Sequence, residues 1–215
     1  MNKKITTLLV GLLSFITVMP VMSSDFSGDF KIGYRFVDEE GSLAVYQPTH
    51  NLYDGVALSL ESFEYRFDDG VRVYGNIRDI TLSNRDVRIG LSKAGKFGAT
   101  LTHKKYRRTY SFSGDQKTRR YRTYGSAWFQ AHEYIKLFAG VGVTKKNGAM
   151  PALVGSNGVG ALENIDYSQT FLNGGVEFRH DRRMVRLEYR AADFDDALND
   201  SLDRTNSRIR ATASG

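Results

Sequence analysis

The side chains able to do chemistry in this sequence are dispersed. His50, His103, His132 and His180 are isolated and show no metal-ligand spacing. Neighbouring carboxylates, Asp195 with Asp196 and Glu39 with Glu40, read as loop charges. No G-x-S-x-G elbow or phosphate-binding loop occurs, and Gly155 to Gly160 is not followed by a helical pattern. There is no cysteine. That excludes disulfides, thiolate metal sites, cysteine nucleophiles and covalent c-type haem on this chain. The expectation is a protein without catalytic residues, metal ligands or a cofactor of its own.

What the sequence does carry is ordered charge. Lys31, Arg35, Arg88, Glu177, Arg179, Arg186, Glu188, Arg190, Arg208 and Arg210 alternate with apolar residues and so share one face of extended segments. Such a face suits the lumen of a water-filled pore, or one that grips a polar protein; cross-strand pairing that merely holds a sheet is the simpler reading. The set is net positive, which suggests a preference for small anions. A second basic cluster comprises His103, Lys104, Lys105, Arg107 and Arg108, then Lys117, Arg119, Arg120 and Arg122, interleaved with Tyr106, Tyr110 and Tyr121. Basic residues mixed with aromatics can bind nucleic acid, a reading that the leader-like N-terminus described below disfavours. Contact with anionic lipid phosphates at an outer membrane rim, or an ordinary solvated hairpin, remain.

The elements that position these residues have a period of two. Phe30, Ile32, Tyr34 and Phe36 alternate with Lys31, Gly33 and Arg35. Val56, Leu58 and Leu60 hand over to Phe63, Tyr65 and Phe67 through a parity shift at Glu61 and Ser62, the mark of a β-bulge. Further strands are expected at Val71–Ile77, Val87–Leu91, Phe97 to Tyr110 past another parity shift, Tyr121–Phe129, Ile135–Val143, Leu172–Phe178, Val185–Ala191 and Arg208–Ala213. Aromatics fall on both parities in Tyr121–Phe129. The total is ten strands, with no amphipathic helix.

One hairpin allows a register to be written. With His180 to Arg183 as its loop, Phe178 opposes Val185, Val176 opposes Leu187, Gly174 opposes Tyr189 and Leu172 opposes Ala191. The Tyr189 ring would cover Gly174, and on the other face Glu177 would meet Arg186 and Asn173 would meet Arg190. A slip by one residue would destroy every pair.

Composition and the N-terminus choose between a soluble sheet and a membrane one. Of 215 residues, 12 are Tyr, 13 Phe and 21 Gly, with only 3 Pro. Lys3 and Lys4 precede an apolar run from Ile5 to Met22, followed by Ser23 and Ser24. Residues 1–23 therefore read as a cleaved secretory signal peptide, with small Val21 and Ser23 at the recognition positions; an N-terminal anchor is the alternative. No later run approaches the ~18 apolar residues of a membrane helix. Connections alternate: short near Asp68–Gly70, Lys93–Gly95, Gln130–Glu133 and His180–Arg183, longer at Asp38–Gly55, Ser113–Thr118, Lys145–Ile165 and Ala192–Thr205. Only the connection near Ser83 to Arg85 departs from the rule. Pro48 and Pro151 fall in the long loops. Tight periplasmic turns and long outer loops belong to an outer-membrane barrel. The expected fold over residues 24–215 is all-β, a transmembrane antiparallel up-and-down β-barrel of the bacterial outer membrane.

Gly33, Tyr34, Arg35, Phe36, Val37, Asp38, Glu39, Glu40 and Gly41, with the later Asn51, Leu52, Tyr53, Asp54 and Gly55, resemble the opening of the MtrB/PioB family of decahaem-cytochrome-associated outer-membrane porins. Leu137–Gly148 and Arg186–Asp195, with Arg190, Asp193 and Phe194, are similar to that family too. The resemblance implies a sheath around a periplasmic multihaem c-type cytochrome, which carries electrons across the membrane to an outer-face cytochrome or an extracellular donor or acceptor. It also implies a barrel of about 26 strands, of which ten would be an open N-terminal portion. Some members carry an N-terminal Cys-x-x-Cys pair that this chain lacks. A passive diffusion porin for small, anionic solutes is the alternative function.

Overall fold

Residues that alternate between two environments are held extended, and each extended segment here finds its partner in the next. The computed structural model describes residues 14–20, 25–36, 54–110, 116–154 and 159–214. The strands are β1 (Ser14–Pro20), β2 (Phe26–Arg35), β3 (Gly55–Arg66), β4 (Val71–Arg78), β5 (Arg85–Lys93), β6 (Phe97–Thr109), β7 (Lys117–His132), β8 (Ile135–Val154), β9 (Val159–His180), β10 (Arg183–Asp196) and β11 (Arg204–Ser214). They form one eleven-stranded antiparallel sheet in sequence order. β2 to β11 are the ten strands expected from the alternation. β1 falls within the segment read as a leader and pairs with β2 from Ser14 opposite Arg35 to Pro20 opposite Asp29; cleavage after Ser23 would leave β2 as the first strand. The only helical element among the described residues is a 3-10 turn at Asp200–Leu202.

The sheet is open and a single layer thick. β1 and β11 do not pair, and substantial contacts join only consecutive strands or hold the 3-10 turn against β10. There is accordingly almost no interior: Phe63 and Leu82 are the buried apolar residues among those described.

Register follows the alternation closely. Ser62 takes φ = 50°, and the β3–β4 ladder jumps from Leu60/Ile77 to Phe63/Gly75, so the bulge expected at Glu61 and Ser62 is present. The β9–β10 ladder has Phe178 opposite Val185, Val176 opposite Leu187 and Gly174 opposite Tyr189, as written from the sequence. Its turn is tighter than expected, two residues, with Asp181 at φ = 50°.

Other details differ from expectation. β6 runs without a register break, so its second parity shift is absent: apolar residues on one parity give way to basic ones, and the strand continues unchanged. The stretch Lys145–Ile165 is mostly strand, because β8 and β9 stay paired out to Val154 and Val159. Pro151 therefore lies inside β8, opposite Leu162. Among the described residues the pairing of β7 with β8 ends at Gly148, so Pro151 lies beyond that ladder, at a position where a proline is tolerated. Similarly β10 extends to Asp196, so Asp195 and Asp196 are strand residues that point to opposite faces, not loop charges. The connection between β4 and β5 covers residues 79–84, which removes the exception near Ser83. Pro48, His50, Glu39, Glu40 and most of the Asp38–Gly55 loop lie outside the described residues.

Candidate functional site

Following the ladders from strand to strand sorts the sheet into two faces of opposite character. On one, registered rows read Leu91, Ala99, Ala127, Ala139, Gly174, Tyr189, Ile209 and Ile89, Leu101, Gly125, Val141, Leu172, Ala191. These large apolar side chains are exposed: Leu101 to 48%, Val141 to 51% and Phe129 to 55%. The other face carries the charge, and there several polar side chains are buried while most of the arginines reach solvent. Glu188 is only 4% exposed and Glu177 7%, with Ser59 and Thr144 similarly enclosed. The burial is the inverse of that in a water-soluble sheet, where apolar side chains are hidden and carboxylates are not.

All ten residues expected on the charged face lie on it. Their centre is a network on β9 and β10. Arg186 stands opposite Glu177 and approaches it at 3.6 Å, while its second nitrogen is 3.5 Å from Glu188. Arg179 donates to Glu177 at 3.2 Å, Arg190 to Glu188 at 2.9 Å, and the Asn173 amide to Glu188 at 3.3 Å. Two carboxylates thus meet three guanidiniums, and burial is tolerated because every oxygen has a cation within 3.6 Å. Nearer β2, Lys31 and Arg78 share Glu61, and Arg35 lies 3.8 Å from Asp79. Arg88, Arg208 and Arg210 make no ion pair among the described residues.

Aromatic rings and glycines complete this face. A Cβ on Gly98 would lie 2.5 Å from Trp128 Nε1, and one on Gly90 would strike the Tyr74 ring. The rings of Tyr124, Phe171 and Phe138 likewise lie over Gly140, Gly142 and Gly175. The aromatic cover expected for Gly174 from Tyr189 is absent, since the nearest atoms to a Gly174 Cβ belong to Phe138 and Ala139. Tyr189 instead stands outward on the apolar face, 45% exposed. A groove of about 590 Å³ runs between Arg122, Tyr124, Phe171, Asn173, Arg190 and Arg208.

No protein family, characterised protein or solved structure matches the chain. What can be said of its site therefore rests on geometry. The second basic cluster, read from sequence as one patch, is divided by the pleat. Lys104, Arg108, Arg120 and Arg122 belong to the charged face, whereas Lys105, Arg107, Lys117 and Arg119 belong to the apolar one, with His103 and Tyr121. Lys104 is paired with Asp86 at 2.5 Å. Arg85 and Lys145, not included in the cluster from sequence, join Lys105 and Tyr121 in one registered row on the apolar side. Carrying the parity of Val87–Leu91 back by two residues, and that of Ile135–Val143 forward by two, would have found both.

Among the described residues the histidines do not meet one another. His103 bonds Thr123 through Nδ1 at 2.9 Å, His180 lies 3.3 Å from Asp181 in the turn, and His132 packs near Tyr134. No group of His, Cys, Asp and Glu among the described residues could hold a metal ion.

Proposed function

We propose that this sheet is part of the wall of a transmembrane β-barrel in a bacterial outer membrane, exported by a cleaved signal peptide, with its charged face toward the lumen. The observation that carries the reading is the inverted burial: Leu101, Val141 and Leu172 stand exposed while Glu177 and Glu188 are enclosed. Exposing so many large apolar side chains to water is unfavourable by ~25 cal/mol per Å² of surface, whereas lipid solvates them without cost. Of the strands β2 to β11, 8 to 22 residues long, most reach the ~9–11 that a tilted membrane strand needs. With the leader removed, β2 and β11 would be the edges of the sheet, and the reading requires both to be paired in the membrane, because an unpaired edge has no place in hydrocarbon.

Within that wall the leading role is a sheath for a periplasmic multihaem c-type cytochrome in transmembrane electron transfer. It is supported by the family resemblance and by a charged, aromatic-lined face able to grip a polar protein; the haems would all be the partner's. Co-purification of a haem-staining protein with the full chain from outer membranes tests it, and a chain that elutes without haem would count against it. A passive pore for small anions is favoured by one specific observation, the three arginines Arg88, Arg208 and Arg210 that lack a carboxylate partner among the described residues. Anion-selective conductance without any partner would support the pore; a cation-selective reversal potential would exclude it.

A further inference from the structure

The charged face is notched where β8 passes between β7 and β9. There β8 presents Gly140 and Gly142, flanked by Ser126 and Tyr124 on one side and by Asn173 and Phe171 on the other. With no side chain on its floor the notch opens into the groove of about 590 Å³, a size typical of small-molecule sites. Two rings lean into it, Tyr124 over Gly140 and Phe171 over Gly142. Their centroids are 5.5 Å apart and their planes 20° from parallel. Ala192 of β10 and Asn206 of β11 continue the same registered row and line the groove as well.

Three guanidiniums line the groove, and no Asp or Glu does. Arg122 stands one row beyond the ring row, while Arg190 and Arg208, directly opposite each other, stand one row before it. The carboxylates of the neighbouring rows on this face are already engaged. Glu188 holds Arg190 through both oxygens, at 2.9 Å from Nε and 3.0 Å from Nη2, which orients the guanidinium and leaves Nη1 unbonded among the described residues. Asp86 is paired with Lys104, and Asp196, two rows beyond Ala192, accepts the Leu198 N–H at 3.0 Å.

Cations on both sides of a stacked aromatic pair set the chemistry of the occupant. An inorganic anion would use the arginines and leave the rings idle, and an uncharged ring would do the reverse. A carboxylate attached to an aromatic ring uses both: its oxygens match a guanidinium fork, and its ring extends the stack. We propose that the groove between Arg122, Tyr124, Phe171, Arg190 and Arg208 is a binding site for aromatic carboxylates. The inference rests on the reading of the charged face as a lumen and names a substrate class for the anion pore.

The chain has no cysteine, so one introduced thiol can report on the groove. Full chains carrying Ala192→Cys, in the groove, or Leu101→Cys, on the apolar face, are folded into phosphatidylcholine vesicles and reacted with a water-soluble sulfonated maleimide. Ala192→Cys should be labelled, Leu101→Cys should not, and 2-naphthoate should slow the labelling of Ala192→Cys. Adding Arg122→Gln/Arg208→Gln, which breaks no ion pair among the described residues, should raise the half-protecting concentration at least about tenfold and leave the rate without ligand unchanged. Arg72→Gln, on the same face but outside the groove, should change that concentration less than about twofold. A changed rate without ligand in the double variant would assign the two arginines to the fold and overturn the site. Equal protection by 2-naphthalenemethanol, which lacks the charge, or by cyclohexanecarboxylate, which lacks the aromatic ring, would overturn it too, as would an equal loss with Arg72→Gln. If Ala192→Cys resists labelling, or Leu101→Cys is labelled as fast, the lumen reading falls and this inference with it. If the labelling pattern holds and 2-naphthoate gives no protection, this inference alone falls.

Discussion

Arg186 on β10 lies across from Glu177 on β9 and bridges it to Glu188, its guanidinium stacked 3.9 Å from the centre of the Phe138 ring. One cation thereby serves two enclosed carboxylates, and the ring covers one face of its guanidinium. The arrangement fixes the β9–β10 register from the charged face, just as the Phe178/Val185 and Val176/Leu187 pairs fix it from the apolar one.

Replacing Glu188 by Gln should expose what that bridge contributes. Arg190, Arg186 and Asn173 would face a neutral amide that can accept only part of their donors. A loss of about 1–3 kcal/mol is expected, the usual cost of leaving enclosed donors unmatched, visible as a lower urea midpoint in vesicles. Glu64→Gln makes the comparison, because its partner Arg66, two residues along the same strand, is largely solvated; there the change should stay within about 0.5 kcal/mol. Equal effects at the two sites would mean that the network is no more than surface pairing.

Two glycines give a sharper contrast. Gly98 is roofed by Trp128, so Gly98→Ala must displace the indole; a methyl on Gly125 meets nothing closer than Leu101 at 4.0 Å. Overpacking of the first kind costs about 1–3 kcal/mol, and the second should be nearly silent. Trp128 is the sole tryptophan, so its emission reports the displacement directly. The expected outcome is a shifted spectrum for Gly98→Ala and an unchanged one for Gly125→Ala.

The same pairs show where the sequence was legible and where it was not. Alternation located β2 to β11 and the bulge at Ser62 because one face of each strand needs apolar residues. Tyr121–Phe129 was ambiguous because Tyr124 and Trp128 break the alternation, and the reason is spatial: they cover Gly140 and Gly98 on neighbouring strands, contacts no single-strand pattern reveals. Lys145–Val154 was missed for the opposite reason. Beyond the apolar rows neither face of β8 needs to be apolar, so the strand continues on backbone hydrogen bonds alone and leaves no periodic signal. The basic cluster reads as one patch for want of register: adjacent lysines such as Lys104 and Lys105 look continuous in a sequence and belong to opposite faces of a sheet.

A pH dependence is expected at the turn between β3 and β4. Asp69 accepts from the Val71 N–H at 3.0 Å and from Lys93 at 3.2 Å, and these two bonds, the backbone one first, hold its carboxyl below the ordinary value. A depressed carboxylate adds stability above the unfolded-state pKa of ~3.9 and loses it as the pH falls through the lower folded-state value. Asp69→Asn should therefore be less stable than wild type at neutral pH, and the gap should close in acid. Urea midpoints for the pair at pH 7 and pH 3 measure it. A gap independent of pH would show that the turn is held by shape rather than by charge.

The two faces can be interrogated at adjacent residues of β6. Leu101 stands in the middle of the exposed apolar rows between Ile89 and Gly125, while Thr100, on the charged face, lies between Gly90 and Ser126. If lipid covers the apolar face, Leu101→Lys places an ammonium near the bilayer midplane at ~2–4 kcal/mol. Thr100→Lys then adds one more cation to a wetted lumen and should be tolerated. If water covers both faces, the order reverses: Leu101→Lys removes an exposed apolar side chain and costs nothing, whereas Thr100→Lys crowds the face that holds the buried groups. Folding yield of the two variants in vesicles, read from the heat-dependent shift in electrophoretic mobility, separates the cases. The wall reading requires Leu101→Lys to fold poorly and Thr100→Lys to fold well, and the opposite order would refute it.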